Sequence, residues 1–253
     1  MVSLSKAVRY VQIFAGLAAL MLGGPVGAAV AASPQAIAVE KITPSVGHPV
    51  GVGMPVTVTF AQSVRDHDYA EHAIAFSSST DMAPKGTFSW LDDRTMQFTP
   101  TTYWPAHSTI KVSVGPATQT FETGSATLGV ASISAHTFTV SIDGQVIKTM
   151  PASMGKPKHA TPIGSFTAMS KENPVVMDSR TIGIPLNDPE GYKLTVYYAV
   201  RVTSGGVYVH AAPWSVAQQG YSNVSHGCVN LSTDNAQWYY NQVNIGDPIV
   251  VKA

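Results

Sequence analysis

The segment Val56–Phe60, with the sequence VTVTF, alternates strictly between apolar and polar residues. Such an alternation predicts a β-strand with one buried face. The same period of two recurs at residues 109–114 and 118–121, and Pro, Gly, Asp and Asn turn signals separate these short segments. From residue 39 onward the pattern therefore predicts a small β-sandwich in the first part of the chain.

Two tryptophans stand next to the predicted strands of this first block. Trp90 and Trp104 are large side chains, and we expect them to fill the core of the sandwich. Asp92 and Asp93 fall in a predicted hairpin turn, where aspartate is common because its side chain bonds to the local backbone. No set of catalytic side chains occurs before residue 124, so the first block predicts a module without chemistry of its own.

A second block begins after a Thr-Gly-Ser boundary at residues 123–125 and is also rich in predicted strands. A hairpin is predicted at 135–150 around an Asp-Gly turn, and further strands at 195–202, 206–210 and 247–251. One helix is predicted at 232–243, capped by Ser232 or Thr233. Its apolar face consists of Ala236, Tyr239, Tyr240 and Val243. The predicted fold class is therefore mainly β: a sandwich at 36–123, then a β-rich block at 125–251 with one C-terminal helix.

The first 32 residues have the features of an export segment. Lys6 and Arg9 precede an almost wholly apolar stretch at 11–30, and the small-x-small pattern at 29–31 is typical of a signal-peptidase site. The stretch is also long enough to remain as a membrane anchor. We therefore expect an exported protein of the periplasm or cell envelope, either released or anchored by residues 1–32.

Composition excludes several classes of partner and site. The 15 Lys and Arg residues balance the 15 Asp and Glu residues, and no basic run is present that could follow a phosphate backbone. Nucleic acid is therefore not an expected partner. The single cysteine excludes a disulfide within the chain and a zinc site built on several thiolates. A lone thiol in an exported protein needs another explanation.

The stretch from residue 207 to 231 gathers the groups that a thiol enzyme needs. Cys228 supplies the thiol, and both His210, at the end of an alternating strand, and His226, two residues before the cysteine, are candidates for its base. Gly227 lets a substrate carbonyl approach the backbone N–H groups. An imidazolium beside the thiol would lower the thiol pKa and hold a reactive thiolate. The spacing alone leaves the choice between the two histidines open.

Other interpretations compete with the thiol enzyme. A lone cysteine is most often a small buried hydrophobe. His210, His226 and Cys228 are also metal-ligating residue types, but no fixed ligand spacing supports a site, and we expect neither a metal nor a cofactor. Ser153 and Lys156 match the Ser-x-x-Lys motif of penicillin-binding enzymes, yet its companion Ser-Asp-Asn and Lys-Thr-Gly motifs are absent. The two histidines and the glycine around Cys228 favour the nucleophile.

The segment SHGCVN at 225–230, with His210 some fifteen residues earlier, resembles the signature of L,D-transpeptidases with a YkuD-type catalytic domain. The segment TPIGSF at 161–166 resembles a second family segment, and residues 208–215 and 235–239 resemble the mycobacterial members. In the first block, ITPS at 42–45 followed by VTVTF resembles the opening of bacterial immunoglobulin-like envelope modules. The resemblance covers residues 125–251 and, more loosely, the immunoglobulin-like module before them.

The resemblance implies a concrete reaction. In this family a cysteine attacks the bond after diaminopimelate, the third residue of a peptidoglycan tetrapeptide stem. D-Alanine leaves, and the thioester passes to the diaminopimelate side-chain amine of a second stem. Carried over to this sequence, Cys228 is the nucleophile, His210 is the general base, and the Ala211 carbonyl orients the imidazole. The N–H groups of Gly227 and Cys228 bind the oxyanion. β-Lactams of the carbapenem type acylate the family's cysteine, so we expect them to acylate Cys228.

The resemblance also implies a set of residues close to the substrate. They are Tyr192, Met177, Gly205, Gly206, Trp214, Ser225, His226 and Asn230. His226 is expected to brace the loop of Cys228 through hydrogen bonds. Residues 178–182 belong to a segment that forms a lid in relatives, and Ile182 stands where some relatives have tyrosine, which changes the expected lid contacts.

Two alternatives to cross-linking remain open. The chain could be a peptidoglycan-binding or scaffolding module without activity, in which case Cys228 would be inert and resist alkylation near neutral pH. The enzyme could also pass the acyl group to water, as an L,D-carboxypeptidase, or to a lysine of an envelope protein. The acceptor leaves no motif, so the sequence does not separate these outcomes.

Overall fold

A computed structural model describes residues 37–80 and 84–253 of the chain. The predicted export segment at 1–32 lies outside these residues. Within the described ranges, no helix has both the length and the apolar character needed to cross a membrane. The structure there is mainly β, with one ten-residue helix near the C-terminus, which confirms the predicted fold class.

The first block forms two antiparallel sheets. One has the strand order β1-β2-β5-β4 and the other β3-β6-β7, and a short helix α1 follows β2. The segments predicted from their alternation, 56–60, 109–114 and 118–121, all lie in strands of these sheets. The elements are β1 (Val39–Thr43), β2 (Val56–Phe60), α1 (His67–His72), β3 (Ile74–Ser78), β4 (Gly86–Trp90), β5 (Thr95–Pro100), β6 (Thr109–Val114) and β7 (Ala117–Glu122).

Aromatic side chains fill much of the core that the two sheets share. Trp104 is 2% exposed, its ring meets that of Phe121 edge-on, and its Nε1 donates a hydrogen bond to the Met54 carbonyl at 2.7 Å. Its predicted role in the core is confirmed. Trp90 is only partly buried and stacks on His67 at the edge of the core, with 3.8 Å between ring centroids. The hydrophobic centre of the sandwich therefore depends on Trp104 more than on Trp90.

The second block contains two larger sheets and a two-stranded ribbon. The sheet orders are β10-β9-β8-β18-β11 and β12-β15-β16-β17, and β13 pairs with β14. The pairs β8–β18 and β16–β17 are parallel. The elements are β8 (Thr127–Ser132), β9 (Thr137–Ile142), β10 (Gln145–Pro151), β11 (Gly164–Thr167), β12 (Ser170–Glu172), β13 (Val175–Asp178), β14 (Lys193–Val196), β15 (Ala199–Arg201), β16 (Tyr208–Ala211), β17 (Val229–Leu231), α2 (Thr233–Gln242) and β18 (Pro248–Lys252).

One predicted strand of this block is wrong, and the predicted helix is confirmed. Residues 195–202 do not form a single strand: β14 pairs with β13, whereas β15 pairs with β12 and β16, and Tyr198 turns the chain between them with φ of +52°. Helix α2 begins after Ser232, whose Oγ accepts from the Asn235 N–H. The side chains of Ala236 and Tyr239 are buried in the same core as strands of both larger sheets.

A backbone seam joins the sandwich to the second block. We define it as residues 51–54 and 244–248. The N–H of Gly51 donates to the Ile245 carbonyl at 2.8 Å, and the N–H of Gly53 donates to the Gly246 carbonyl at 2.9 Å. A Cβ on Gly51 would lie 1.9 Å from the Asp247 backbone nitrogen, so only glycine allows this approach. The seam buries Asp247 completely.

Candidate active site

The parallel pair β16–β17 brings the predicted nucleophile and one candidate base to the same cavity. His210 lies on β16 opposite Asn230 on β17, and Cys228 immediately precedes β17. The cavity has a volume of about 460 Å³. Its wall includes Cys228, both candidate histidines and five of the other residues predicted near the substrate. Those five are Met177, Tyr192, Trp214, Ser225 and Asn230.

The imidazole of His210 is fixed by its own strand. The ring is buried, with only 3% of the residue exposed, and Nδ1 lies 2.9 Å from the Ala211 carbonyl. A carbonyl can only accept, so this contact makes Nδ1 the donor and leaves Nε2 with a free lone pair. Burial lowers the pKa of His210 to about 4, and the Ala211 carbonyl opposes that shift only in part. The imidazole is therefore neutral at pH 7, with the geometry expected for the Ala211 carbonyl.

The thiol of Cys228 is also neutral in this structure. Burial raises its pKa to about 11, and a hydrogen bond from the Tyr208 backbone opposes the shift without cancelling it. The Sγ atom lies 3.8 Å from the Gly206 carbonyl. Burial therefore shifts both pKa values against an imidazolium–thiolate pair, because it disfavours the charged form of each group.

Hydroxyl groups hold the loop that carries the cysteine. Ser225 Oγ donates to the Cys228 carbonyl at 2.6 Å and accepts from the Gly227 N–H at 3.1 Å. Thr161 Oγ1 donates to the Gly227 carbonyl at 2.8 Å. Gly227 has φ of +119°, a conformation that glycine adopts without strain. Ser225 and Thr161 thus fix a bend that places Cys228 at the cavity.

This bracing changes the expected oxyanion site. The Gly227 N–H is already bonded to Ser225 Oγ, so the expectation that it is free to bind an oxyanion is wrong for this structure. In the described part of the chain, no acceptor is bonded to the Cys228 N–H. The Cys228 N–H therefore remains available as a hydrogen-bond donor at the cavity.

His226 does not brace the loop as expected. Its Nε2 is buried and has no hydrogen-bond partner in the described residues. The ring instead packs against the rings of His159 and Tyr192, with centroid distances of 4.9 and 5.0 Å. The positive φ of Gly227 also breaks the extended chain that would have put His226 and Cys228 on one face. The predicted bracing role belongs to the two hydroxyls described above.

The remaining predicted residues reach the site in different ways. Met177 packs against the buried group around Val196 and Tyr208, as Cys228 does. Asn230 is buried, and its Nδ2 donates to Ser215 Oγ at 3.1 Å. Burial raises the pKa of the Tyr192 hydroxyl, so it is a neutral donor near pH 7. Gly205 and Ala211 are not in the cavity wall, and Ala211 acts there only through its carbonyl.

The predicted lid segment is tied to Tyr192. Residues Ser179–Ile182 form a short 3₁₀ turn, and the Asp178 side chain accepts from the Arg180 N–H at its start. The Ser179 N–H donates to the Tyr192 carbonyl at 2.9 Å, and the Tyr192 N–H donates to Ser179 Oγ at 3.0 Å. Ile182 is 38% exposed and is not part of the cavity wall. The segment therefore influences the cavity through Tyr192.

A charged cluster at the cavity was missed by the sequence reasoning. Glu190 Oε1 pairs with Lys156 Nζ at 2.7 Å, and its Oε2 lies 3.0 Å from both Lys158 Nζ and His159 Nε2. The hydrogen bonds from Lys156, His159 and Lys158 hold the pKa of the Glu190 carboxyl well below its usual range. Glu190 is 34 residues from Lys156 in the sequence, and no spacing rule connects them.

Ser153 and Lys156, which match the Ser-x-x-Lys motif, have other partners in the structure. Lys156 pairs with Glu190, and Ser153 is fully buried. The Ser153 Oγ donates to the Ser222 carbonyl at 2.7 Å and accepts from the Val224 N–H at 3.1 Å. These bonds occupy the hydroxyl in holding the chain that leads to the Cys228 loop. Ser153 therefore has a structural role.

Comparison with known proteins matches both blocks. Residues 126–251 match the family model described as an L,D-transpeptidase catalytic domain, and residues 28–120 match that of a bacterial Ig domain. L,D-transpeptidase 1 of Mycobacterium tuberculosis is 53% identical over 249 residues, which cover 97% of this chain and 98% of that protein.

Solved structures are similar over both blocks as well. An L,D-transpeptidase from Mycobacterium smegmatis is 60% identical with a TM-score of 0.81, covering 87% of this chain and 100% of that one. The L,D-transpeptidase LdtMt1, solved in complex with imipenem, is 56% identical with a TM-score of 0.79, covering 85% of this chain and 99% of that one.

Proposed function

Because this chain belongs to the L,D-transpeptidase family, with an immunoglobulin-like module before a YkuD catalytic domain, we propose that it forms 3→3 peptidoglycan cross-links through a thioester on Cys228. The observation that supports this most directly is that one cavity holds both a partly buried thiol and a buried imidazole. The Cys228 thiol and the His210 imidazole both line it, and the Ala211 carbonyl leaves His210 Nε2 ready to accept a proton.

The first step is acylation by the donor stem. The Sγ of Cys228 attacks the carbonyl carbon between diaminopimelate and D-alanine while His210 Nε2 takes the thiol proton. The Cys228 N–H receives the developing oxyanion. When the tetrahedral intermediate collapses, the C–N bond breaks, and the imidazolium returns its proton to the departing D-alanine amine. A thioester remains on Cys228.

The second step transfers the acyl group. The neutral side-chain amine of diaminopimelate on a second stem attacks the thioester carbonyl, and His210 accepts the proton that this amine loses. Collapse breaks the C–S bond, and the thiolate regains its proton from His210. We propose a stem amine as the acceptor in place of water or a protein lysine. The half-exposed Trp214 and the neutral Tyr192 hydroxyl at the cavity wall offer surfaces for the stems.

The neutral resting pair suits this sequence of steps. A partly buried thiol with a pKa of about 11 holds almost no thiolate at pH 7, so it reacts little with stray electrophiles. When a substrate carbonyl binds, the charges that form on the imidazole, the sulfur and the oxyanion attract one another in a water-poor site. Proton transfer is therefore coupled to the attack. Export, expected from residues 1–32, would place the enzyme where peptidoglycan stems are.

Mass spectrometry of a defined reaction tests the proposal. The purified protein is incubated with a disaccharide-tetrapeptide, and released D-alanine, a thioester on Cys228 and a 3→3 dimer are expected. A tripeptide product alone would indicate water as the acceptor. Cys228→Ala and the near-isosteric Cys228→Ser should form none of these products while remaining folded by circular dichroism. Normal turnover by Cys228→Ala would refute the mechanism.

Carbapenem acylation offers a second readout at the same atom. A relative of this chain is solved in complex with imipenem. We propose that imipenem acylates Cys228, so the intact mass should rise by one drug equivalent in the wild type and stay constant in Cys228→Ala. An unmodified wild-type mass after long incubation would count against a competent nucleophile.

A further inference from the structure

Three side chains at the rim of the active-site cavity can together hold a metal ion. They are His159, Glu190 and His226, whose candidate ligand atoms all lie within 4.8 Å of one another. We name them the rim cluster. Two of them, Glu190 and His226, also line the cavity that contains Cys228. The set comes from three separate segments, so its proximity is a product of the fold.

His226 supplies an independent observation at this cluster. Its Nε2 is buried and has no hydrogen-bond partner in the described residues. A buried polar nitrogen without a partner costs free energy, and such an atom needs an explanation. Neither of the neighbouring rings, His159 and Tyr192, provides a hydrogen bond to it. A cation between His226 and its neighbours would give this nitrogen a partner.

We propose that the rim cluster binds a borderline divalent cation of the Zn²⁺ type and that the bound ion inhibits the enzyme reversibly. Two imidazole nitrogens and one carboxylate oxygen form a set that zinc commonly takes, with a fourth position left to water. The open cavity beside Glu190 and His226 provides both the path for the ion and the space for that water.

The distances are compatible with binding after small side-chain movements. Ligand atoms on a tetrahedral Zn²⁺ lie roughly 3.3 Å apart, given metal–ligand distances of about 2.0–2.1 Å. His159 Nε2 and Glu190 Oε2 are 3.0 Å apart, which already meets this requirement. All three candidate ligand atoms lie within 4.8 Å of one another, so the other pairs have to approach by at most about 1.5 Å.

Two lysines set the strength of the site. Lys156 is bonded to Oε1 of Glu190, so it does not occupy the oxygen that faces His159. Lys158 does contact Oε2, at 3.0 Å, but its side chain is 71% exposed and can turn into solvent. Both positive charges repel a cation. The affinity of the site for the ion is therefore moderate, so the ion binds and leaves reversibly. Reversible binding fits inhibition better than a permanent structural role.

Binding would restrict the parts of the protein that a substrate must pass. Glu190 lies two residues before Tyr192, and His226 lies two residues before Cys228. An ion joining these side chains would tie the segment of Tyr192 to the loop of Cys228 across one side of the cavity. Substrate access would fall although neither Cys228 nor His210 is a ligand.

Zinc titration of the full chain tests the proposal without depending on catalysis. The titration is done in the Cys228→Ala background, because the thiol in the same cavity could bind zinc by itself. Isothermal titration calorimetry should give one Zn²⁺ per chain. Adding His159→Asn should weaken binding by at least about 100-fold, because one of three ligands is lost.

The matched control uses a histidine with a similar carboxylate partner. His107 Nε2 lies 3.0 Å from Asp143 Oδ2, the same distance as in the His159–Glu190 pair, but without a third ligand. His107→Asn should leave zinc binding unchanged. Lys158→Gln should strengthen binding about fivefold, because it removes a nearby positive charge and frees Oε2. Thermal melts without zinc confirm that each variant is folded.

Two results would overturn the site. One is loss of all zinc binding in Cys228→Ala, which would assign the ion to the thiol alone. The other is equal affinity of the His159→Asn and His107→Asn variants. Inhibition is measured separately as the zinc concentration that halves the rate of imipenem acylation, which should rise at least tenfold in His159→Asn. An unchanged value would refute the inhibitory role even if zinc binds, and neither outcome depends on the identity of the acyl acceptor.

Discussion

Two regions of the second block bury ionisable side chains, and they do so with different consequences. At the active site, His210 is almost fully buried and Cys228 is partly buried, and both line an open cavity. At the seam, Asp247 is completely buried between the sandwich and the second block. Desolvation by burial is the largest cause of the pKa shift in all three groups. What differs is whether a substrate can reach the buried group.

The hydrogen-bond partners of the two regions differ in the same sense. The His210 imidazole is held by one carbonyl, and its second nitrogen is left available for a proton. One oxygen of Asp247 accepts from the Asn244 N–H at 2.7 Å, whereas Oδ1 has no hydrogen-bond partner in the described residues. Burial raises the pKa of Asp247 to about 7, although the N–H groups of Asn244, Val52 and Thr127 oppose the shift. An ionisable group that is shielded from water but can be reached by a substrate is thus suited to reaction. A buried ionisable group that a substrate cannot reach instead makes the stability of the protein depend on pH.

The largest expected effect is at the accessible pair. Replacing His210 by Gln removes the acceptor for the thiol proton, and kcat/KM for imipenem acylation should fall by about 10³–10⁴-fold. The melting temperature should change little by comparison, because the fold does not depend on proton transfer. The measurement is stopped-flow absorbance of imipenem consumption at pH 7.

His226→Gln is the matched comparison for that variant. His226 has no bond to the loop backbone, and its ring lies between His159 and Tyr192. We expect a loss of no more than about tenfold from altered packing. If the two variants had the same rate, the assignment of the base to His210 would be wrong.

The next largest effect is expected at Asp247 in the seam. The folded-state pKa of Asp247, about 7, is above its ordinary value of 3.8, so the folded protein binds this proton more tightly than the unfolded chain. The resulting stability is complete below about pH 4 and is lost as pH rises to 7. Relative to Asp247→Asn, the free energy of unfolding should fall by on the order of 4 kcal/mol across this window. Urea denaturation at several pH values measures it.

An exposed carboxyl provides the control for the seam. Hydrogen bonds from His107 and the Ala126 N–H lower the pKa of Asp143, so its contribution to stability is lost only as pH falls below the ordinary aspartate range. Asp143→Asn should therefore follow the wild-type curve between pH 4 and 7. If the free energy of unfolding changed with pH in the same way in the wild type and in Asp247→Asn, the seam carboxyl would not be held protonated.

The sequence predicted the regular parts of this protein well. The period of two at Val56–Phe60 and Thr109–Val114 gave strands because local alternation and burial agree there. Helix α2 followed from a capping serine and one apolar face. The strand predicted at 195–202 failed because the positive φ of Tyr198 and the change of pairing partners are tertiary features. Alternation continues through such a break without a local signal.

At the site, the sequence predicted residue types better than their partners. Cys228 and His210 share a cavity as expected, but the neutral state of both depends on burial, which no spacing encodes. The bracing expected of His226 belongs to Ser225 and Thr161, and Thr161 is 66 residues away from the carbonyl that it binds. Contacts over such distances require the folded chain, as does the partnership of Lys156 and Glu190.

A neutral thiol and a preformed thiolate at Cys228 differ in their rate of alkylation. With a pKa of about 11, the Cys228 thiol should react with iodoacetamide at pH 7 about 100-fold more slowly than a free cysteine. The rate should rise tenfold per pH unit between pH 6 and 9, followed by mass spectrometry. A rate independent of pH in that range would indicate an ion pair.

Slow alkylation would then no longer separate the enzyme from an inactive binding module, contrary to what the sequence alone suggested. Imipenem acylation remains decisive because a substrate-like carbonyl enters the cavity where proton transfer can accompany attack. Slow alkylation of Cys228 together with its rapid acylation by imipenem is the result expected for a neutral thiol that a substrate can reach. Slow reaction with both iodoacetamide and imipenem would show that Cys228, like Asp247 in the seam, cannot be reached by a substrate.

The smallest expected effect is at Ser225, whose hydroxyl holds the loop of Cys228. Ser225→Ala removes the 2.6 Å bond to the Cys228 carbonyl, and the acylation rate should fall about tenfold, equivalent to roughly 1–2 kcal/mol. Ser63→Ala is the control, because Ser63 donates a bond of the same length to Asp93 in the sandwich. The control should acylate at the wild-type rate. Ser225→Ala also frees the Gly227 N–H, which Ser225 otherwise occupies. A rate that rises would therefore refute the brace and return the Gly227 N–H to the oxyanion site beside that of Cys228.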